Sequence, residues 1–171
     1  KLMGRFLYGL KKKAEYALIS LTGGQKDNAI TRECTAEFLT DSVAKVKAYA
    51  KELQEQIREE YTGSDENITF EITEKGTAAA EVLHPTSQEK IVFYLQNVPF
   101  GIQKMSGTIK GLVETSSNIG ILRLDEDELF ASSSVRSSVD AACSALSDKI
   151  EYLTEFLGGD YEVQGAYPVS Y

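Results

Sequence analysis

The chain contains 171 residues, of which 42% are hydrophobic and 26% are charged, and a surplus of acidic residues gives a formal net charge of −8 at pH 7. A chain of this length buries roughly 70% of its unfolded surface, so its fold requires neither a disulfide nor a metal ion for stability. The negative charge argues against nucleic acid or an anionic membrane as the main partner, and no apolar stretch approaches the roughly 18 residues that span a membrane.

The first half of the chain is predicted to contain two helices and three strands, from apolar residues spaced by three and four or by two. In chain order they are a helix over residues 1–15, strands over 16–21 and 29–39, a helix over 42–62 and a strand over 67–75. The two strands that flank Gly23-Gly24 are expected to pair as a hairpin. No start signal precedes the first helix, which suggests a chain trimmed at its N-terminus from a longer protein.

The second half repeats this order without obvious sequence repetition. It is predicted to contain a helix over residues 86–98, strands over 107–124 and 128–136, a helix over 139–157 and a strand over 161–167. Thr86 and Glu89 have the spacing of a capping box at the start of the first of these helices. Ser137 is a plausible N-cap for the second helix, with Asp140 three residues later.

These elements predict an α+β fold made of two split-βαβ (ferredoxin-like) halves, with an antiparallel sheet and helices packed on one face. No linker rich in Pro or Ser separates the halves, so residues 1–171 are interpreted as a single domain. Cys34 and Cys143 are far apart and form no C-x-x-C pair, which favours two reduced, buried thiols in a cytoplasmic protein.

The side chains offer no self-sufficient catalytic set. The one histidine, His84, precedes Pro85 in a predicted loop and is interpreted as structural or exposed rather than as a catalytic base. Catalytic zinc needs at least three converging His, Cys or carboxylate ligands, and the pattern shows no such group. We therefore expect no catalytic residue and no metal ligand in this chain.

Two polar positions remain as candidates for ligand binding. Asn28 follows the Gly-Gly pair at the edge of a strand, although an asparagine there can also simply form a turn. Arg136 stands among serines in "SSSVRSSVD", where a strand ends and a helix begins. A guanidinium beside a helix N-terminus can hold a carboxylate; the alternative is an arginine paired with the chain's own acidic residues.

The chain resembles the aminoacyl-histidine dipeptidases (Xaa-His dipeptidases), zinc metallopeptidases related to carnosinases. The resemblance runs in order over nearly the whole chain, through "KLMGRFLYGL", "NAITRE", "MSGTIKGLVETSSNIGIL", "SSSVRSSVD" and "GAYP". Within it, "LVETSSNIG" is the most specific motif. Two departures are Thr31, where proline is common in the family, and the last three residues, which lack the usual Gly-Trp and are either divergent or a junction.

The resemblance implies that the chain is the lid of such an enzyme, which closes over the substrate and mediates dimerisation. It implies two zinc ions and a general-base glutamate in a catalytic domain that is absent from this chain. It also implies that Asn28 and Arg136 contact the dipeptide, with Arg136 on the terminal carboxylate. A free-standing ferredoxin-like module that binds a small ligand or only associates is the alternative, and the sequence on either side of the chain distinguishes the two.

Overall fold

The computed structural model describes residues 1–24, 31–64, 67–77, 79–124 and 128–164. The described elements are four helices and five strands. In chain order they are α1 (Leu2–Lys11), β1 (Ala17–Gly23), β2 (Cys34–Leu39), α2 (Val43–Glu60), α3 (Pro85–Asn97), β3 (Gly101–Met105), β4 (Val113–Leu124), β5 (Leu129–Ser137) and α4 (Asp140–Phe156). The predicted α+β class is confirmed.

The five strands form one antiparallel sheet around β4, its longest strand. β5 pairs with β4 along almost its full length, from Thr115 opposite Ser137 to Leu124 opposite Leu129. The other edge of β4 pairs with two strands, β3 at residues 113–117 and β1 at residues 122–124. β2 completes the sheet by pairing with β1, so the predicted hairpin across Gly23-Gly24 is confirmed.

One hydrophobic core joins the helices to one face of this sheet. Leu7 and Leu10 of α1 are fully buried, and they belong to the same cluster as residues from both halves of the chain. On β4, the pairing shifts by one residue between Ile119 and Ile121. A bulge of this kind reverses the alternation of faces, and so Ile119 before it and Leu122 after it are both buried.

The predicted strand over residues 67–75 is wrong as a strand, although its inward residues are right. Ile68, Phe70 and Ile72 pack against the core as predicted, but no strand is assigned to the described residues of this segment. Instead, α2 supplies its backbone partners. The Gln54 side-chain oxygen accepts from the Phe70 backbone N–H at 2.7 Å, and Arg58 Nε donates to the Ile68 carbonyl at 2.7 Å.

Two other predictions are corrected, and one strand was missed. The predicted final strand is not formed over residues 161–164, and the remainder of that prediction lies outside the described residues. Strand β3 was not predicted. The capping box at Thr86 is wrong, because α3 begins one residue earlier, with His84 at the N-cap accepting a hydrogen bond from the Thr86 backbone N–H at 3.2 Å.

Candidate functional site

The face of the sheet turned away from the helices carries a row of polar side chains on β5. Leu129, Ala131 and Val135 pack against the core, and successive residues of a strand point to opposite faces. The alternate residues therefore face outward; they are Phe130, Ser132, Ser134 and Arg136. The prediction that both serines share a strand face with Arg136 is consistent with this register. We call this surface the open face.

The neighbouring strand β4 adds further polar groups to the open face. Ser116 lies opposite Arg136, and Asn118 lies opposite Ser134. Both are half-buried, whereas the intervening Ser117 points toward the core and is buried. Small hydroxyl-bearing side chains around Arg136 leave space above the sheet and offer hydrogen-bond donors beside the guanidinium. The arrangement suits a small anionic group such as a carboxylate.

Arg136 has no ion-pair partner among the described residues. The five ion pairs of the described part of the chain all involve other side chains. Glu114, the acidic residue closest to Arg136 along β4, is held by Lys104 of β3 with 3.5 Å between Nζ and Oε2. The alternative in which Arg136 pairs with the chain's own acids is thus not found among the described residues. The guanidinium of Arg136 is exposed and can donate hydrogen bonds to an external anion.

The helix that follows Arg136 begins differently from the prediction. Ser137 is the last residue of β5 and not the N-cap of α4, which is Val139 with no side-chain capping bond. The Ser137 hydroxyl is instead hydrogen-bonded to the Thr115 hydroxyl at 2.9 Å and accepts from the Val139 backbone N–H at 3.1 Å. Since Arg136 faces away from the layer in which α4 packs, the start of α4 does not lie beside the guanidinium as predicted.

Asn28, the second predicted binding residue, lies outside the described residues. The described residues on either side of that segment both meet the middle of β4. The Thr31 hydroxyl donates to the Ile119 carbonyl at 2.5 Å. Gly24, with a φ of +72°, lies so near β4 that an added Cβ would come within 1.8 Å of the Gly120 carbonyl oxygen. The β4 residues that Thr31 and Gly24 meet, Ile119 and Gly120, directly follow Asn118 of the open face.

The remaining candidate, His84, has the structural role that was predicted. Its imidazole Nδ1 accepts the hydrogen bond at the start of α3, and its side chain is exposed. Ser116 and Asn118, by contrast, were not singled out from the sequence, although they stand in the "LVETSSNIG" motif. The signal that could have found them is the pairing of β4 with β5, which requires the register as well as the alternation.

Comparison with known proteins identifies what the chain is similar to. No protein-family model matches it. Over 170 residues, 98% of the chain, it is 28% identical to the cytosol non-specific dipeptidase of Escherichia coli strain K12. The aminoacylhistidine dipeptidase from Vibrio alginolyticus has a crystal structure that matches 98% of the chain with a TM-score of 0.90 and 28% identity. The resemblance to the aminoacyl-histidine dipeptidases is confirmed.

The chain corresponds to only part of these dipeptidases. It spans 35% of the Escherichia coli enzyme and 34% of the Vibrio alginolyticus chain. The remaining two-thirds of each dipeptidase therefore has no counterpart in these 171 residues.

The described residues do not fit a zinc site. None of them forms a group of three or more His, Cys, Asp or Glu side chains that could hold a metal ion, and the single histidine of the chain uses Nδ1 to cap α3. Among the described helices, none is long and apolar enough to cross a membrane. The absence of metal ligands throughout the whole chain stays a prediction.

Proposed function

We propose that the chain is the non-catalytic lid domain of a cytosolic zinc aminoacyl-histidine dipeptidase, and that Arg136 binds the C-terminal carboxylate of the dipeptide substrate. The observation that carries this proposal is the exposed Arg136 guanidinium, which has no ion-pair partner among the described residues and stands on a polar sheet face. It lies in a chain that matches about a third of two dipeptidases along 98% of its own length.

The chemistry of the site suits a carboxylate. A guanidinium is planar and donates two parallel hydrogen bonds to the two oxygens of a carboxylate. Ser116 lies opposite Arg136 on β4, and Ser134 lies two residues before Arg136 on β5. The hydroxyls of both serines can therefore donate to the same carboxylate. A hydrogen bond to a charged group contributes about 1.5–3 kcal/mol when water is excluded. A second domain that closes over the open face would exclude water in this way.

The hydrolytic chemistry belongs, in this proposal, to the part of the enzyme outside these residues. Two zinc ions bound there would supply the Lewis acid for peptide hydrolysis. The role of this chain is to bind and orient the dipeptide, which lowers the entropy cost of reaching the reactive geometry. Asn28 is proposed as a second substrate contact, since Gly24 and Thr31 both meet β4 next to Asn118.

The proposal also covers partners and location. The lid packs against its own catalytic domain and forms a homodimer, which sedimentation of the purified protein would show. The net charge of −8 supports a protein that binds neither nucleic acid nor membrane. A cytoplasmic location is supported by the similarity to the Escherichia coli relative, a cytosol dipeptidase.

The proposal predicts that Arg136→Ala lowers kcat/KM for an Xaa-His dipeptide at least tenfold, a loss of about 1.4 kcal/mol of transition-state stabilisation. The enzyme to assay is the full protein encoded by the reading frame that contains this chain. For a dipeptide with an amidated C-terminus, Arg136→Ala should lower kcat/KM much less, because that substrate has no carboxylate for the guanidinium to bind.

The matched control is Arg123→Ala, which removes another arginine of the same face, one that stacks on Phe130 at 5.1 Å. Equal activity of Arg136→Ala and wild type would contradict the carboxylate role. The 171-residue chain alone, with zinc added, should show no hydrolysis. A reading frame that encodes no zinc-binding sequence beside this chain would instead favour the free-standing binding module.

A further inference from the structure

Glu114 is the one acidic residue of β4 and β5, and it belongs to the same face of the sheet as Arg136. Thr115 and Ser117, on either side of Ser116, are buried on the core face, so the alternation of the strand turns Glu114 and Ser116 to the open face. Because Ser116 pairs with Arg136, Glu114 is a diagonal neighbour of Arg136, with less than about 8 Å between their Cβ atoms. A carboxylate and a guanidinium therefore leave the open face at adjacent positions.

The carboxylate of Glu114 is shielded but only loosely paired. Its side chain is 10% exposed, and its ion-pair partner among the described residues is Lys104, at 3.5 Å between Nζ and Oε2. This distance is longer than that of a charge-assisted hydrogen bond, which is about 2.7–2.9 Å. The Lys104 side chain is itself 66% exposed, so the ion pair contributes little and the ammonium can move into water. The ammonium of Lys104 thus stands where the donor group of a ligand can replace it.

A C-terminal histidine presents both groups that this pair of side chains can bind. Its carboxylate only accepts hydrogen bonds and suits the guanidinium of Arg136, whereas its imidazole carries an N–H that can donate to Glu114. The carboxylate is attached to Cα and the ring to Cβ of the same residue, so a single residue can reach two diagonal neighbours of the sheet. A carboxylate beside the ring also favours the charged imidazolium form.

We infer that Glu114 is a specificity-determining residue, which accepts a hydrogen bond from the imidazole of the substrate's C-terminal histidine in exchange for its contact with Lys104. This inference rests on the proposed function of Arg136 and extends it from the carboxylate to the side chain of the same substrate residue. A ring that displaces Lys104 without donating a hydrogen bond leaves the shielded carboxylate unpaired, which is costly. Glu114 therefore discriminates histidine from an apolar ring of similar size.

The test compares two substrates of the full-length protein, Ala-His and alanyl-thienylalanine, whose ring is close to imidazole in size but has no N–H. In Glu114→Gln, the ratio of kcat/KM for Ala-His to that for alanyl-thienylalanine should fall at least about tenfold, because the charged acceptor is lost. A ratio of two substrates does not depend on the fraction of the enzyme that is folded. An unchanged ratio in Glu114→Gln would overturn the inference.

The matched control is Lys104→Met, which breaks the same ion pair but keeps the carboxylate of Glu114. This variant should keep the wild-type ratio or raise it, because no ammonium then competes with the imidazole. A fall of the ratio in Lys104→Met as large as that in Glu114→Gln would mean that the ion pair acts only on the structure of the sheet, and the inference would be wrong.

Arg136→Ala separates the failure of this inference from the failure of the proposed function. Both dipeptides carry a C-terminal carboxylate, so this substitution should lower kcat/KM for both by a similar factor and leave their ratio close to that of the wild type. Wild-type kcat/KM for both substrates in Arg136→Ala would contradict the proposed function. Impaired activity in Arg136→Ala together with an unchanged ratio in Glu114→Gln would contradict the inference alone.

Discussion

At the scale of single residues, Cys34 illustrates how burial controls reactivity. Burial raises the pKa of the Cys34 thiol to about 11, because a low-dielectric surrounding disfavours the thiolate. At pH 8 the fraction of thiolate is therefore about 100-fold smaller than in an ordinary cysteine. Cys34 and Cys143 are both free, as predicted, but each is half-buried and not fully buried as the sequence analysis expected.

Cys34 should accordingly resist alkylation in the folded protein. In a Cys143→Ser variant, iodoacetamide should modify Cys34 at least tenfold more slowly at pH 8 than in the same chain denatured in urea. The rate should rise as the pH approaches about 11. Because the pKa of Cys34 is raised in the folded state, the contribution of this thiol to folding stability is fully present below its pKa in the unfolded chain. That contribution is lost as the pH rises through its pKa in the folded chain. Modification at pH 8 as fast as in urea would contradict the assignment.

Arg136 and the strand at the edge of its sheet differ in how far the sequence could predict them. Arg136 was singled out as a lone cation among serines at the end of a predicted strand, and the resemblance supplied the carboxylate that it is proposed to bind. Strand β3 could not be predicted, because four of its five residues are exposed and the strand shows no alternation of apolar and polar residues. An edge strand with little burial leaves no periodic signal in its sequence.

At the scale of elements, the start of α3 shows a cap that the sequence motif obscured. The His84 ring nitrogen occupies the capping position that Thr86 was predicted to take. Histidine at an N-cap is less common than Ser, Thr, Asp or Asn, so the pattern-based prediction selected the nearest threonine. The helix nevertheless begins at Pro85, a residue preferred at the first helical position.

His84→Ala should reduce the free energy of unfolding by about 1 kcal/mol, since the Thr86 N–H loses its acceptor. Urea unfolding followed by circular dichroism would measure the change. Thr86→Ala serves as the matched control and should change the free energy by less than about 0.5 kcal/mol, as expected for an exposed position without a capping role. A larger loss in Thr86→Ala than in His84→Ala would restore the predicted capping box.

The segment 67–75 shows what alternation does and does not predict. The alternating pattern correctly indicated which side chains are inward, because that pattern reflects burial. It could not indicate which groups hydrogen-bond to the backbone of the segment. Among the described residues these are the Gln54 and Arg58 side chains of α2, and no neighbouring strand pairs with it. Hydrogen-bond partners distant in sequence lie beyond local periodicity.

At the scale of the whole molecule, α1 connects the two halves of the chain. Its inward residues Leu7 and Leu10 have no exposed surface and pack in the same cluster as buried residues of α2 and α3. The predicted α+β class depended on this kind of amphipathic pattern and was recovered correctly. The arrangement of β1 and β3 along one edge of β4 was not predicted, because it depends on which strands meet and not on where each one lies.

Leu7→Ala should lower the free energy of unfolding by about 2–5 kcal/mol, because it removes apolar contacts and leaves a cavity. Thermal and urea unfolding should show a single transition that shifts as a whole, since one core holds both halves together. Lys13→Ala, at an exposed position just after α1, should shift neither transition noticeably. Two separate transitions in Leu7→Ala would indicate that the halves unfold independently.

The hydrogen bond from Thr31 to Ile119 has a consequence for how the chain differs from the dipeptidases that it resembles. Proline, which the resemblance to that family implies at this position, would restrict the chain through a fixed φ angle and act mainly on the entropy of the unfolded state. Thr31 restricts it through a hydroxyl contact with a sheet carbonyl in the folded state. Rotation about a single χ1 bond can break that contact without disturbing the sheet. Thr31 is thus held by an interaction that can open and close locally, where a proline would impose a permanent backbone constraint.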